Sequence, residues 1–251
     1  MITVNSISGG KTSSYMAAHY PADKNVFALI RLNDPECAPT DKALVQRVSD
    51  KLGDEFIATA EDDLTLYAMF DLEQLIGREI TWISGKTFDR TIKFRKHLPN
   101  QVWRYCTREM KLRPIQKYSK QFGDVVMNIG FRFDEKERGD DFKVEQGWRS
   151  VKFPLITDRI GHYTIYKWVQ TTGLKFPPDS NCVFCFWKSV QQLRKNFDTN
   201  PKKMAWAERQ ERKDKRWKKE MTYTQIKNVG LQADFNFEGG GAGCQAGFCH
   251  D

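Results

Sequence analysis

A group of small, hydroxyl and amine side chains follows the apolar start of the chain and has the composition of a phosphate-binding loop. Its residues are Ser8, Gly9, Gly10, Lys11, Thr12 and Ser13. Glycine lets the backbone turn sharply, and the N–H groups that begin the next helix favour an anion. A Walker A loop is excluded, because that loop needs a glycine where Asn5 stands. We expect phosphate binding here, and an ordinary turn between a strand and a helix is the alternative.

A second group that could bind an anion follows the β-prone run at residues 125–129. It consists of Gly130, Arg132, Asp134, Glu135 and Arg138. A fixed arginine can hold phosphate or sulfate oxygens at two points. Neighbouring carboxylates can orient the arginine or help to hold Mg²⁺. A salt-bridged loop without a ligand is the simpler alternative.

Five of the six cysteines stand where they could bind a metal. They are Cys106 in a basic segment, Cys182 and Cys185 in a Cys-x-x-Cys pair, and Cys244 and Cys249 in a glycine-rich tail. Two thiolates on one turn suit Zn²⁺ or an iron–sulfur cluster. A zinc site made of the last four cysteines would leave Cys106 free. A small buried residue without a chemical role is the simplest alternative for Cys106.

The elements that must position these groups alternate between strand and helix. Apolar runs at residues 1–4, 25–30 and 55–59 predict strands, and helical patterns separate them. This alternation predicts an α/β fold with a doubly wound, mostly parallel sheet. Thr40 is the expected cap of the helix that carries Leu44, Val48 and Leu52. Ligands bind such sheets at the carboxyl ends of the strands, where Asn33 and Asp34 also lie.

Composition and charge limit the classes of protein to which this chain can belong. The chain has 251 residues and a net charge of +8. It has no apolar run of 18 residues and no secretory signal pattern, so we expect a cytoplasmic protein with no membrane partner. The segment from Lys202 to Lys219 contains nine Lys or Arg residues and three acidic residues. Such a basic helix predicts RNA or DNA as a partner, and a solvated helix is the alternative.

Four motifs in order resemble those of the PAPS reductase-like family, which belongs to the adenine-nucleotide alpha-hydrolase-like (PP-loop ATP pyrophosphatase) superfamily and is often encoded by phages and mobile elements. Residues 8–13 resemble the SGGxDS loop, with Thr12 in place of Asp, and residues 33–40 resemble NTGxExPET. Cys106, Lys111 and Pro114 match a Cys-x-x-x-x-Lys-x-x-Pro element. Residues 130–138 match Gly-x-Arg-x-Asp-Glu-x-x-x-Arg.

The resemblance implies a Rossmann-like nucleotide-binding core at residues 1–170 and a helical, cysteine-bearing extension at 171–251 that packs on it. It implies ATP, or else APS or PAPS, as the bound adenine nucleotide. It also implies a [4Fe-4S] cluster, with Zn²⁺ as the alternative, held by Cys106, Cys182, Cys185 and either Cys249 or Cys244.

The resemblance further implies adenylation-dependent sulfur transfer, with nucleic acid as one acceptor, in which Lys111 and Arg132 stabilise developing charge. Two alternatives stay open. In the first, the protein is a sulfonucleotide reductase that releases sulfite, and Cys249 is its nucleophile. In the second, the protein binds a nucleotide or a partner protein without catalysis.

Overall fold

The computed structural model describes residues 1–140 and 149–231. Five strands form one sheet in which every neighbouring pair runs parallel. They are β1 (Ile2–Ile7), β2 (Lys24–Leu29), β5 (Ile80–Ser84), β6 (Val125–Ile129) and β7 (Arg149–Lys152), and their spatial order is β5-β2-β1-β6-β7. This arrangement confirms the expected α/β fold with a doubly wound parallel sheet.

Helices fill the connections between these strands and make up most of the chain after them. They are α1 (Lys11–His19), α2 (Lys42–Leu52), α3 (Asp63–Ile76), α4 (Phe88–Arg95), α5 (Tyr105–Thr107), α6 (Arg113–Lys120), α7 (Lys136–Asp140), α8 (Pro154–Thr157), α9 (His162–Thr172), α10 (Val190–Thr199), α11 (Pro201–Gln210) and α12 (Tyr223–Lys227). A π-helical turn, Arg108–Leu112, joins α5 to α6. In the part of the chain that the structure describes, no helix is both long and apolar enough to cross a membrane.

The sheet buries both of its faces, as parallel sheets do. Successive side chains of a strand point to opposite faces. Val4 of β1 therefore packs in a cluster with Ile115 of α6, whereas Ile7 packs in another cluster with Leu44 of α2 and Leu66 of α3. Helices on both faces hold the strands rigidly, so the loops at the strand ends have a fixed scaffold.

The strand order reverses between β1 and β6. From β1 the chain moves outward to β2 and β5, and it then returns to the other side of β1 to form β6 and β7. Connections therefore leave the carboxyl ends of β1 and β6 in opposite directions, and open α/β sheets bind ligands in a crevice at such a position. Residues 8–13 follow β1 and residues 130–138 follow β6, so two predicted binding groups share this position.

The expectation of a third parallel strand at residues 55–59 is wrong. Only Ala58–Thr59 forms a strand (β4), and it pairs antiparallel with β3 (Arg31–Leu32) in a separate small sheet. The place beside β2 is taken by β5, whose Trp82 packs against Phe27. A short apolar run shows that a segment is buried, but it does not show which edge the segment joins.

The cap predicted for α2 is also wrong by one position. Asp41, rather than Thr40, precedes the helix, and its Oδ1 accepts hydrogen bonds from the N–H groups of Ala43 and Leu44. Its other oxygen accepts a hydrogen bond from the hydroxyl of Tyr67 in α3. Aspartate caps a helix at least as well as threonine does, so the sequence pattern admitted both positions.

The region after residue 171 packs on the β3–β4 side of the core through an aromatic cluster. The rings of Phe88, Phe184, Trp206 and Trp217 pack edge-on or tilted against one another, with ring centres between 5.0 and 6.3 Å apart. Leu32 and Ala58 belong to the same buried cluster. The two predicted segments, 1–170 and 171–251, therefore share one hydrophobic core within the residues described.

Candidate functional site

The loop at residues 8–13 is closed by its own serines. Ser8 donates its backbone N–H to Ser13 Oγ at 3.1 Å, and Ser13 Oγ donates to the carbonyl of Gly10 at 3.0 Å. Helix α1 begins at Lys11 without a side-chain cap or an acidic residue in its first turn. The first N–H groups of a helix have no partner within the helix. This loop therefore presents uncapped donors and the positive end of a helix dipole.

Both glycines of the loop are required by their surroundings. Gly9 has φ +84°, in the left-handed region that favours glycine, and an added Cβ would lie 2.6 Å from Thr65 Cγ2. At Gly10 an added Cβ would lie 2.6 Å from Ser180 Cβ. The glycines are thus buried under these neighbours, and residue 180, two positions before Cys182, lies directly against the loop.

The loop after β6 touches the start of α1. A Cβ added to Gly130 would lie 3.3 Å from Ser13 Cα and 3.6 Å from the carbonyl oxygen of Thr12. This contact between two backbones is tight, so a side chain at residue 130 would require the loop or the start of α1 to shift. The structure therefore brings the first and second predicted anion-binding groups together at the crevice between β1 and β6.

Arg132 and Arg138 are held by the two carboxylates of their own loop. Arg132 donates from Nε to both oxygens of Asp134, at 3.0 and 3.1 Å, and lies 3.5 Å from Glu135. Arg138 donates to Glu135 at 2.7 Å. Burial raises the pKa of Asp134, but the hydrogen bond and the charge of Arg132 outweigh it, so the pKa is lowered overall. Asp134 therefore stays ionised at neutral pH and orients Arg132.

Asn33 and Asp34 are engaged with other parts of the protein. Asn33 donates its backbone N–H to Asp89 at 2.7 Å. Asp34 caps the 3₁₀ turn Pro35–Cys37, and its second oxygen accepts from Arg209 at 2.9 Å. Asp34 therefore has a structural role within the described residues. Asn33 lines a cavity beyond the carboxyl ends of β2 and β5.

Lys111, predicted to act on phosphate charge, forms an ion pair with Glu61. The Nζ of Lys111 lies 2.8 Å from Glu61 Oε1, and the Glu61 side chain is only 1% exposed. The other oxygen, Oε2, is buried and has no hydrogen-bond partner in the region described. Sequence reasoning missed Glu61. Its position directly after the strand Ala58–Thr59 is the signal that could have found it, because strand ends carry site residues.

The cysteine segments adjoin one another and this carboxylate. Cys185 donates its N–H to the carbonyl of Cys182 at 3.0 Å, which places the pair on one turn. Val183 between them donates to the carbonyl of Ala60 at 2.8 Å, next to Glu61. Cys106 and Cys182 pack against the same apolar cluster. The guanidinium of Arg104 lies 4.7 Å from the ring centre of Trp187, which joins the two segments.

The described residues by themselves do not form a metal centre. Among residues 1–140 and 149–231, no three His, Cys, Asp or Glu side chains are grouped so that they could hold a metal ion. Cys182 and Cys185 lie near the fully buried Tyr223, whose pKa is raised by burial and then by these thiols and Glu211. The remaining predicted ligands, Cys244 and Cys249, lie outside the described residues.

The sixth cysteine has a different environment. Cys37 is 1% exposed, and burial, followed by the charge of Asp34, raises the pKa of its thiol to about 12. Its Sγ donates to the carbonyl of Lys202 at 3.7 Å. A neutral, buried thiol is a poor nucleophile and a poor metal ligand, so Cys37 is a packing residue.

The prediction of a basic helix between Lys202 and Lys219 is wrong about the length of the helix and about which of its cations are exposed. Only Pro201–Gln210 is helical. Lys203 is buried, and its Nζ donates to Asp63 at 2.7 Å and to the carbonyl of Glu61. Lys218 donates to the carbonyl of Phe186 at 2.9 Å. Lys203, and Arg209 through Asp34, therefore hold the C-terminal region on the core, whereas Lys218 is bound within that region.

Comparison of the chain with protein-family models, with curated proteins and with solved structures gives no match. The function must therefore be argued from the residues and their placement. The features that carry most weight are the uncapped loop at residues 8–13, its contact with Gly130, and the Lys111–Glu61 pair beside the cysteine turn.

Proposed function

We propose that this protein is an enzyme that binds the adenine nucleotide ATP in the crevice between β1 and β6 and uses it to adenylate an acceptor for sulfur transfer. The observation that carries the proposal is the contact of Gly130 with Ser13 beside the uncapped start of α1. Backbone donors and a helix dipole favour a polyphosphate at such a position. A cytoplasmic location is part of the proposal.

In the first step, an oxygen of the acceptor attacks the α-phosphorus of ATP. The bond from that phosphorus to the bridging oxygen breaks, and pyrophosphate leaves with the electron pair. The N–H groups of residues 8–13 would hold the pyrophosphate, and Lys111 and Arg132 would stabilise the charge that develops. Asp134 and Glu135 offer the carboxylate oxygens that Mg²⁺ prefers.

In the second step, a sulfur nucleophile attacks the acceptor atom that bears the adenylated oxygen. The bond from that atom to the oxygen breaks, and AMP leaves with the oxygen and the electron pair. A [4Fe-4S] cluster, with Zn²⁺ as the alternative, would be held by Cys106, Cys182, Cys185 and either Cys249 or Cys244. Such a cluster can bind sulfur. Cys182 and Cys185 support this part of the proposal because they lie on one turn beside the segment of Glu61.

Pyrophosphate release from ATP, with RNA or DNA added, tests the proposal. We expect release by the wild type and a loss of about 100-fold or more in Lys111→Met and Arg132→Gln. Lys219→Ala, at an exposed position far along the chain, is the control and should keep its activity. Sulfite release from APS or PAPS with a thiol donor would overturn adenylation in favour of reduction. Nucleotide binding without release of pyrophosphate or sulfite would indicate a protein that binds a nucleotide without catalysis.

The cofactor is tested on protein that is purified without oxygen. An absorbance band near ~400 nm indicates an iron–sulfur cluster, and its absence with bound zinc indicates the alternative. Cys249→Ser distinguishes the two roles of that residue. If the variant loses the absorbance band, Cys249 is a ligand of the cluster. If the variant keeps the band and loses turnover, Cys249 is a nucleophile.

A further inference from the structure

A cavity of about 570 Å³ opens beyond the carboxyl ends of β2 and β5. Its lining includes Arg31 and Asn33 after β2 and Gly85, Lys86, Arg90 and Lys93 after β5. The volume is within the range of about 300–1,000 Å³ that ligand sites occupy. Among the described residues of the predicted motifs, Asn33 lines this cavity.

The lining is strongly positive. Among the described residues that line the cavity, the one acid is Asp89. It accepts hydrogen bonds from the N–H of Asn33 at 2.7 Å and from Trp206 Nε1 at 3.0 Å, so both of its oxygens already have partners. Lys86, Arg90 and Lys93 are exposed, and none of them forms an ion pair with another residue that the structure describes. Three unneutralised cations around one concave surface attract a polyanion.

An exposed aromatic ring stands beside these cations. Phe94 is 66% exposed, and the Nζ of Lys86 lies 4.9 Å from the centre of its ring. Alternating cations and aromatic rings suit a single-stranded nucleic acid, because phosphates bind the cations while a base stacks on the ring. A small phosphate ester would leave Phe94 without a role.

The floor of the cavity touches the segment that carries Lys111. A Cβ added to Gly85 would lie 3.1 Å from the carbonyl oxygen of Glu109 and 3.4 Å from Met110 Cα. Glycine therefore allows the end of β5 to pack directly against the π-helical turn Arg108–Leu112. A ligand in the cavity would lie next to the same turn as the proposed site.

We propose that this cavity binds the phosphate backbone of single-stranded nucleic acid, with Phe94 stacked on a base. The binding itself needs no ATP chemistry. Only the identification of the strand as the sulfur acceptor rests on the proposed function. The site replaces residues 202–219, several of whose cations are occupied in packing, as the nucleic-acid surface of this chain.

Fluorescence anisotropy with labelled oligonucleotides of about 15 residues tests this proposal without any nucleotide present. Oligo-dT and oligo-U arms distinguish DNA from RNA. We expect the double variant Lys86→Ala/Lys93→Ala to bind about tenfold or more weakly and to reduce the salt slope by about 1.4, as for two lost contacts to a single strand. The matched control is Lys213→Ala/Lys219→Ala, which removes the same charge from exposed positions in the basic run and should change binding less than about twofold.

Phe94→Ala separates stacking from charge. We expect it to weaken binding about tenfold with an unchanged salt slope, because it removes no cation. An equal loss in both double variants, or no binding by the wild type, would overturn the proposal. Displacement by inorganic phosphate at low millimolar level, without an effect of Phe94→Ala, would also overturn it and indicate a small-anion site.

Pyrophosphate release and ATP binding are measured on the same variants. Oligonucleotide binding that depends on Lys86 and Lys93, in a protein that never releases pyrophosphate, keeps this inference and rejects the proposed function. If pyrophosphate release is unchanged in the double variant and does not depend on oligonucleotides, the proposed enzyme activity is supported. The cavity is then not the site of the sulfur acceptor. A thermal unfolding curve for each variant confirms that the protein is folded.

Discussion

At the scale of single residues, the proposed site is built by close approach of chain segments. Gly10 meets Ser180 and Gly130 meets Ser13, where an added Cβ would lie 2.6 Å from Ser180 Cβ and 3.3 Å from Ser13 Cα. A glycine can therefore be essential through the space that it leaves as well as through its conformation. Gly10 illustrates this well, because its φ of −106° is open to any residue.

Substitution of Gly10 by alanine should destabilise the protein by about 1–3 kcal/mol, because the new methyl group overlaps Ser180. Urea unfolding measures this cost. The double variant Gly10→Ala/Ser180→Gly should recover most of it, since the overlapping atoms are then absent. Gly230→Ala is the control, because an added Cβ there meets no atom of the residues described within 4 Å. A cost in the double variant equal to that of the single variant would contradict the contact.

At the scale of elements, a row of buried asparagines links the three central strands. Asn5 of β1 donates to Asn25 of β2 at 3.1 Å and accepts from Asn128 of β6 at 2.9 Å. Asn5 also donates to the carbonyl of Tyr20 at 2.8 Å, just after α1. The row therefore ties the end of α1 to the three central strands, two of which, β1 and β6, lead into the loops of the proposed site.

Asn5→Ala should lower the free energy of unfolding by about 2–3 kcal/mol, because it removes the hydrogen-bond partner of the buried Asn25 Oδ1 and Asn128 Nδ2 atoms. Urea titration followed by far-UV circular dichroism checks this value. Thr3→Ala, in the same strand, removes a hydrogen bond to Asp23 at the surface and should cost less than about 1 kcal/mol. Equal costs for the two variants would show that the row is not a special linkage.

Helix α2 depends on the charge of its cap. The pKa of Asp41 is lowered by the hydrogen bond from Tyr67 and then by that from the Leu44 N–H. A lowered pKa in the folded state stabilises the protein above the unfolded pKa of about 3.9, and this stabilisation is lost as the pH falls through the lower folded value.

Asp41→Asn keeps a capping oxygen and removes the charge. We expect the variant to be less stable than the wild type at pH 7, and the difference to shrink as the pH falls below about 4, where the wild-type carboxylate is also neutralised. Urea midpoints at several pH values give the comparison. A difference that stays constant down to pH 2 would mean that charge has no part in the cap.

At the scale of the whole molecule, the C-terminal region and the sheet region share one core. Trp206 and Trp217 are each 1% exposed and pack with Leu32 and Ala58 of the first region. Because the two regions share an apolar cluster, unfolding of one region would expose apolar side chains of the other to water. The part of the chain that carries the Cys182–Cys185 turn is thereby fixed relative to the loops at the strand ends.

Trp206→Ala should lower the stability of the whole chain by about 3–5 kcal/mol, because it leaves a large cavity in this cluster. We expect circular dichroism and fluorescence to report one coincident urea transition in wild type and variant alike. Trp103→Ala, at a position that is 58% exposed, should stay within about 0.5 kcal/mol of the wild type. Two separate transitions in the wild type would indicate two independent domains.

The local features of this protein follow from its sequence alone. The strands at residues 2–7, 24–29 and 125–129, the helices between them and the glycine loop at residues 8–13 have local signals, namely apolar period, glycine content and strand-to-helix order. From these the doubly wound sheet is predictable, since parallel strands need helical crossovers. The meeting of residues 8–13 and 130–138 requires β6 to pair with β1, which the strand order of the structure decides.

Only the tertiary structure decided which side chains the strand ends bring together and which charges remain exposed. Glu61 became the partner of Lys111, Ser180 covered Gly10, and Lys203 left the predicted basic face for the interior. The cavity lined by Lys86, Arg90 and Lys93 likewise formed only when β5 took its place beside β2. These features join residues far apart in the chain, and burial and pairing depend on neighbours that no local pattern records.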